Sequence, residues 1–151
     1  MKISELLDPR FMNLFVEAAD KDAALRAVTE LARAHPEILD FDAFSRSVQD
    51  RESLGSTSIG HAVAIPHART DHVRKMVLIV GRVPAGVTFD ARDVEPVRFI
   101  FMVGTPKQMI TDYLRVIGSL ARCMKDPEFR GRLLAAKTPE EFIELFRAKE
   151  G

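Results

Sequence analysis

The sequence of 151 residues lacks features that mark several large classes of protein. It contains one cysteine, Cys123, which excludes an internal disulfide and a cysteine-rich zinc site. Its 22 Lys and Arg residues balance its 22 Asp and Glu residues, so it has no basic excess of the kind that nucleic-acid binders show. No apolar run approaches a membrane span, and the first five residues include an acidic one and no signal-peptide core. We therefore expect a reduced, cytoplasmic protein with no nucleic-acid partner and no membrane insertion.

The composition favours an ordinary globular fold. Apolar residues make up 46% of the chain, and no internal repeat or Gly/Ser-rich linker divides it. A chain of this length buries roughly 70% of its unfolded surface without disulfides or metals. We expect a single domain over residues 1–151.

Helical signals lie in the first and last thirds of the chain. Asp20 and Asp40 precede apolar residues at helical spacing and predict two helix starts. Asp126-Pro127 and Thr138-Pro139 predict two more, with proline at the first helical position. Another helix is predicted from residue 110, with its apolar face formed by Ile110, Leu114, Ile117, Ala121 and Met124.

Strand signals dominate the middle of the chain. The runs Met76–Val83 and Val97–Val103 are apolar and β-branched, which is typical of strands covered on both faces. A shorter strand is predicted over 61–65, running up to Pro66, and 11–18 predicts another. Residues 84–86 and 93–96 are predicted to be turns. Helices before and after a central group of strands predict an α/β fold, with one sheet flanked by helices on both faces.

The segment from Arg51 to Arg69 holds the most distinctive chemistry. Pro66 restricts the residue before it to an extended backbone, so His67 should project from a rigid strand end. An imidazole with a pKa of about 6.5 is roughly three quarters neutral at pH 7, and the neutral form is a nucleophile toward phosphorus.

Other residues of this segment suit phosphoryl chemistry. A guanidinium from Arg51 or Arg69 can bind two phosphoryl oxygens at once. The hydroxyls of Ser56 and Thr57 and the backbone N–H groups near two glycines offer further hydrogen-bond donors.

Less specific interpretations apply to the same residues. A single histidine after a strand is more often structural or solvated, and an arginine such as Arg51 is more often a surface ion-pair partner. A metal site could use His61, His67 and His72, but their spacing matches no standard zinc pattern. Cys123, at the end of an apolar helical face, is interpreted as a small core residue.

The whole pattern resembles a known family. Arg51-Glu52, Gly55-Ser56-Thr57, Ile59-Gly60 and Val63–Arg69 resemble the signature of enzyme IIA domains of the fructose/mannitol type. These domains belong to the bacterial phosphoenolpyruvate-dependent phosphotransferase system, and the nitrogen-regulatory enzyme IIA proteins are members of the family. Matches at Asp20-Lys21, within 86–97 and within 133–142 extend the resemblance over nearly the whole chain.

The resemblance implies a fold and a function. The family fold is a mixed β-sheet flanked by helices. The family histidine, here His67, accepts a phosphoryl group from HPr or its nitrogen-branch paralogue, and the family arginine, here Arg51, lies near the phosphohistidine. Thr57 is expected to contribute hydrogen-bond donors. The chemistry needs no metal and no organic cofactor.

The resemblance leaves the branch of the system open. Sugar-branch members pass the group to a cysteine of a IIB domain, whereas regulatory members control target proteins through their phosphorylation state. Since the chain carries no attached IIB or membrane domain, we favour a nitrogen-regulatory phosphoryl carrier over a sugar-transport component. The classification as an enzyme is left open.

Three positions depart from the family pattern. Tyr113, before Leu114, stands where the family usually has a second active-site histidine. A tyrosine hydroxyl can donate a hydrogen bond to a phosphoryl oxygen, but with a pKa of about 10 it does not exchange protons readily at neutral pH. Ala62 and Val94 stand where glycines are usual, and a valine is costly if its position needs a positive φ. A module of this fold that binds partners without carrying phosphate is therefore the alternative.

Overall fold

A six-stranded mixed β-sheet runs through the protein, and helices cover both of its faces. The computed structural model describes residues 1–151. The helices are α1 (Ile3–Leu6), α2 (Lys21–Glu30), α3 (Phe41–Ser53), α4 (Ile110–Met124), α5 (Pro127–Ala135) and α6 (Pro139–Glu150). The strands are β1 (Met12–Asn13), β2 (Ser58–Gly60), β3 (Val63–Ala64), β4 (His67–Arg69), β5 (Val77–Val87) and β6 (Val97–Thr105). This architecture confirms the predicted fold class.

The centre of the sheet is a long antiparallel hairpin. The strand order is β1-β5-β6-β3-β2, and Val80 of β5 lies opposite Phe101 of β6. Strands β3 and β4 both run parallel to β6 along the same edge, with His67 opposite Val103. Between them, the N–H of Val103 donates to the carbonyl of Pro66 at 2.9 Å, so the ladder continues across the proline. His67 therefore begins β4, whereas a single strand ending at Pro66 was predicted.

Two layers of buried side chains hold the sheet between its helices. Leu78 and Val80 face a cluster that includes residues of α1, α4, α5 and α6. Val77 and Ile79 face a second cluster with residues of α2 and α3. The clusters contain 22 and 19 buried residues, so neither face is left open to solvent. This explains the continuous apolar runs, because successive strand residues point to opposite faces and both faces are covered.

The predicted helix starts are confirmed by capping hydrogen bonds. Asp20 and Asp40 accept from the N–H groups three residues later, at 2.8 and 3.0 Å. Asp126 accepts from the N–H of Glu128 at 3.0 Å, and Thr138 accepts from that of Glu141 at 3.1 Å. These bonds satisfy N–H groups that a helix leaves unpaired at its start.

The buried face of α4 differs from the predicted one. The helix buries Tyr113, Val116, Leu120 and Met124, whereas Ile110 and Leu114 are 43% and 60% exposed. Apolar residues occupy more than one stripe of this helix, so spacing alone does not select the stripe that faces the sheet. The actual rotation turns the Tyr113 side chain inward.

Two strand boundaries were also wrong. Of the strand predicted over 11–18, only Met12–Asn13 forms one, and Phe11 belongs instead to a one-turn 3₁₀ helix that starts at Pro9. The turn predicted at 84–86 lies inside β5, which continues to Val87 after a register shift beyond Arg82.

Two of the three departures from the family pattern have a visible backbone outcome. Ala62, in the turn between β2 and β3, has a φ of 64°, and His61 has a φ of 56°. Ala62 thus adopts the left-handed conformation that glycine enters at lower cost. Val94 is fully exposed and lies outside the left-handed region, so valine causes no backbone strain there. None of the six helices has the length and apolar character needed to cross a bilayer.

Candidate functional site

A small cleft brings together the four residues that the sequence singled out. Arg51 comes from the last turn of α3, Thr57 from the loop before β2, His67 from β4 and Tyr113 from the first turn of α4. The cleft has a volume of about 180 Å³. Its remaining lining residues are Ser56, Ser58, Ile59, Ile65 and Ile117.

The His67 ring is held by one hydrogen bond that determines its reactive atom. Nδ1 lies 3.1 Å from the carbonyl oxygen of Ile65. A carbonyl oxygen can only accept, so the neutral imidazole carries its proton on Nδ1 and its lone pair on Nε2. Nε2 is therefore the nucleophilic atom of this side chain.

The surroundings of His67 favour the neutral imidazole. Burial lowers its pKa below the ordinary value, the hydrogen bond to Ile65 opposes this, and the positive charge of Arg51 adds to the lowering. The net direction is downward, so the neutral fraction at pH 7 exceeds that of a free histidine. The environment thus supports a nucleophilic role over a cationic one.

Tyr113 packs beside His67 with an unpaired hydroxyl. The two ring centroids are 5.3 Å apart and the rings are tilted by 52°. Burial raises the pKa of Tyr113, so the phenol stays protonated at neutral pH. The hydroxyl makes no hydrogen bond within the protein, although only 9% of the residue is exposed. It is available to donate to a ligand in the cleft.

Arg51, rather than Arg69, is the arginine that lines the cleft. One Nη1–H of Arg51 donates to the carbonyl of Gly55 at 2.9 Å, which leaves most of its donors unused. The Arg69 guanidinium donates instead to the carbonyl of Lys107 at 3.3 Å. Its positive charge still lowers the pKa of His67, so it contributes to the field at the cleft.

The hydroxyls of the three consecutive residues 56–58 have different partners. Thr57 donates its hydroxyl to Oε1 of Glu52 at 3.1 Å, and Ser58 donates to Oδ1 of Asp93 at 2.6 Å. Ser56 accepts from the N–H of Ser58 at 3.1 Å and donates to no protein acceptor. In this arrangement Ser56 is the residue whose hydroxyl proton is free, whereas Thr57 shapes the loop.

Two residues beside the cleft received no role from the sequence. Glu52 is 7% exposed, and its Oε1 lies 3.1 Å from Nζ of Lys21. Both residues belong to dipeptides that match the family pattern. The sequence does contain one signal that could have pointed to Glu52. It is an acidic residue in the last turn of a predicted helix, where the helix dipole disfavours negative charge.

The alternative metal site has no structural support. His61 lies in the turn between β2 and β3, outside the set that lines the cleft. No three His, Cys, Asp or Glu side chains anywhere in the chain are grouped as metal ligands. Cys123 was interpreted as a core residue, but it is only half-buried and packs at the edge of the first core cluster.

Comparison with known sequences identifies relatives over the full length of the chain. The family model described as phosphoenolpyruvate-dependent sugar phosphotransferase system, EIIA 2, matches residues 5–149. A fructose-specific EIIA component of Haloferax volcanii is 30% identical, with 91% of this chain and 90% of the relative aligned. A nitrogen regulatory protein of Pseudomonas aeruginosa is 29% identical, with 96% and 94% aligned. The chain spans only 23% of a fructose-specific EIIABC component of Bacillus subtilis, to which it is 28% identical over 96% of its own length.

Solved structures share the fold. Nitrogen regulatory protein IIA-Ntr of Neisseria meningitidis superposes with a TM-score of 0.87 at 28% identity, covering 95% of this chain and 98% of that one. Escherichia coli enzyme IIA for mannitol, solved in complex with phosphorylated enzyme IIB, superposes with a TM-score of 0.81, covering 94% and 97%. At 23% identity, the second similarity concerns the fold alone.

Proposed function

The chain belongs to the EIIA 2 family of the phosphoenolpyruvate-dependent sugar phosphotransferase system, and we propose that it carries a phosphoryl group on Nε2 of His67. The observation that supports this most directly is the hydrogen bond from Nδ1 to the carbonyl of Ile65. It leaves a lone pair on Nε2, in a cleft whose free donors come from Arg51, Ser56 and Tyr113.

The proposed reaction is a transfer between two imidazoles. The lone pair of Nε2 attacks phosphorus of a phosphohistidine on the donor, and the donor's bond from phosphorus to nitrogen breaks. The electron pair returns to the donor imidazole. The proton on Nδ1 stays in place, so the carbonyl of Ile65 stabilises the positive charge that develops on the ring. Transfer of this kind depends on positioning and on neutralisation of phosphoryl charge.

Arg51 and Ser56 are proposed to bind the phosphoryl oxygens. The guanidinium of Arg51 gives up at most one donor to Gly55, so it can present two others to a phosphate. The free hydroxyl of Ser56 and the hydroxyl of Tyr113 supply neutral donors. Thr57 was expected from the sequence to donate directly to the phosphoryl group. Its hydroxyl donates to Glu52 instead, so its proposed role is to hold the loop beside the cleft.

The size of the cleft favours a macromolecular donor. At about 180 Å³ it is smaller than the roughly 300–1,000 Å³ that pockets for small molecules occupy. Exposed apolar residues lie beside it: Ile59 is 42% exposed, and Leu114, next to Tyr113, is 60% exposed. We propose that this surface receives a phosphocarrier of the HPr type and, in turn, a IIB domain or a regulatory target protein. The cytoplasmic location remains a prediction.

We propose the nitrogen-regulatory branch over the sugar branch. A nitrogen regulatory protein and a fructose-specific component are both among the relatives, at 29% and 30% identity. The choice therefore depends on Tyr113, which cannot carry a positive charge or exchange protons readily at neutral pH. A site without a second histidine is better suited to holding a phosphoryl group as a signal than to passing it on rapidly.

The test is phosphorylation by a defined donor. The protein and its His67→Ala variant are incubated with phosphoenolpyruvate, enzyme I and HPr or its nitrogen-branch paralogue, and the intact mass is measured. We expect one added phosphoryl group that the variant lacks, with faster labelling by the nitrogen-branch donor. No labelling by either donor, with an enzyme IIA control labelled in parallel, would leave the binding module as the function.

A further inference from the structure

The ion pair between half-buried Lys21 and buried Glu52 joins two helix ends at which neither residue stabilises its own helix. Lys21 is the first residue of α2, and Glu52 lies in the last turn of α3. The helix dipole disfavours a cation at an N-terminus and an anion at a C-terminus. Burial adds a desolvation cost, since the side chains are 24% and 5% exposed. The helix dipoles therefore do not explain the pair.

Glu52 concentrates its contacts on one oxygen. Its Oε1 lies 3.1 Å from Nζ of Lys21, and it accepts from the backbone N–H and the hydroxyl of Thr57 at 3.2 and 3.1 Å. Its Oε2 is buried and has no partner. The carboxylate thus holds Thr57 by two hydrogen bonds while leaving half of its own capacity unused.

From Thr57, a chain of backbone hydrogen bonds leads to the reactive ring. The carbonyl of Thr57 accepts from the N–H of Ile65 at 3.0 Å. The carbonyl of Ile65 accepts in turn from Nδ1 of His67 at 3.1 Å. Hydrogen bonds linked in this way polarise one another and fix the geometry of the groups they join.

We propose that the Lys21–Glu52 ion pair positions the imidazole of His67 through the loop that precedes it. The pair fixes Thr57, Thr57 fixes the backbone of Ile65, and that backbone determines which nitrogen of His67 carries the proton. Lys21 and Glu52 are positioning residues, since neither lines the cleft. The inference rests on the proposed function, because it assigns the pair to the same acceptor atom.

The first test measures the tautomer of His67 directly. Nitrogen-15 NMR of histidine-labelled full-length protein distinguishes protonated Nδ1 from protonated Nε2 and needs no phosphoryl donor. We expect the Nδ1–H form to predominate in the wild type and its fraction to fall in Glu52→Ala. The matched control is Glu128→Ala, which removes an exposed ion pair with Arg132 on α5 and should leave the tautomer unchanged. A folded Glu52→Ala variant with the wild-type tautomer ratio would overturn the proposal.

The second test measures the rate of single-turnover phosphorylation by the labelled donor. We expect Glu52→Ala to slow the reaction by about tenfold, the equivalent of one hydrogen bond to a charged group. A slowing of less than about twofold, comparable with Glu128→Ala, contradicts the inference. If the wild type is never phosphorylated, the proposed function is wrong. The inference about the ion pair is then tested by the tautomer comparison alone.

A third set of variants covers the case in which Glu52→Ala does not fold. Lys21→Met leaves a buried carboxylate without its cation, and we expect it to shift the tautomer and slow phosphorylation. The double variant Lys21→Met/Glu52→Gln carries no charge but keeps an oxygen that accepts from Thr57. We expect it to recover the wild-type tautomer and most of the rate. A double variant that is more impaired than Lys21→Met overturns the proposal.

Discussion

Removal of the Tyr113 hydroxyl should change phosphorylation without changing the stability of the unphosphorylated protein. It forms no hydrogen bond within the unphosphorylated protein, and its ring packs against His67 at a centroid distance of 5.3 Å. The substitution Tyr113→Phe keeps the ring and removes only the hydroxyl. The free energy of unfolding of the unphosphorylated protein should therefore change by no more than about 0.5 kcal/mol, because no contact is lost. Its unfolding temperature should stay nearly the same.

The phosphorylated protein should respond differently. A hydrogen bond from a hydroxyl to a charged phosphoryl oxygen contributes about 1.5–3 kcal/mol, which corresponds to roughly 10- to 150-fold in an equilibrium constant. Because burial raises the pKa of Tyr113, the hydroxyl stays protonated over the range of the assay. We expect Tyr113→Phe to shift the phosphoryl equilibrium toward the donor by this factor.

The assay equilibrates each protein with a fixed ratio of phosphorylated and free donor. The phosphorylated fraction is read by intact mass, and thermal unfolding is recorded for the unphosphorylated forms. Equal phosphorylated fractions for wild type and Tyr113→Phe would refute the role of the hydroxyl. A large fall in the unfolding temperature of the unphosphorylated variant would show that the hydroxyl has a structural partner instead.

Three further predictions concern pH and stability. Because the pKa of His67 is lowered in the folded protein, its contribution to stability is complete above the unfolded value of about 6.5 and decreases as the pH falls through the folded pKa. Below a pH of about 6.5, the wild type should lose free energy of unfolding that His67→Gln keeps. Phosphorylation of the wild type should slow over the same pH range, and a rate that rises on acidification contradicts this. Ala62→Val should destabilise the fold by about 1–2 kcal/mol, because a β-branched residue is strained at a φ of 64°, whereas Ala62→Gly should stay within about 1 kcal/mol in denaturant unfolding. Glu150→Ala should cost about 1–3 kcal/mol, because its carboxylate accepts from the N–H groups of Ile3 and Ser4 at 2.6 and 2.9 Å; an unchanged denaturation midpoint would show that these bonds contribute nothing.

Local signals in the sequence predict much of the architecture. A cap such as Asp20 or Asp40 acts on N–H groups three residues away, so its effect is visible in a short window. The two long strands are recognisable for a similar reason, because covering both faces of a sheet requires an unbroken apolar run. The rotation of α4 is not predictable in this way. It depends on which of two apolar stripes meets the sheet, and that choice buries Tyr113 and exposes Leu114.

The candidate site also has a part that local sequence signals predict and a part that depends on packing. Residues clustered in one segment, such as Arg51, Thr57 and His67, are candidates from the sequence because their side chains suit phosphoryl chemistry and because the segment resembles the family signature. The hydrogen-bond partner of each donor cannot be predicted from the sequence. Whether the Thr57 hydroxyl faces the cleft or a buried carboxylate depends on where α3 ends relative to β2, and the structure gives that hydroxyl to Glu52.

The amino-acid sequence by itself determines the helix starts, the alternation of helices and strands and the family, and it singles out His67 as the proposed phosphoryl acceptor. These follow from interactions between residues close in the chain or from a contiguous motif. Only the tertiary structure decides the proton position on His67, the inward rotation of Tyr113 and the burial of the Lys21–Glu52 pair. The Tyr113 rotation and the Lys21–Glu52 pair depend on contacts between elements distant in sequence, which form only when the helices pack on the sheet. The His67 proton position depends on a contact only two residues away, but the motif does not show which ring nitrogen makes it.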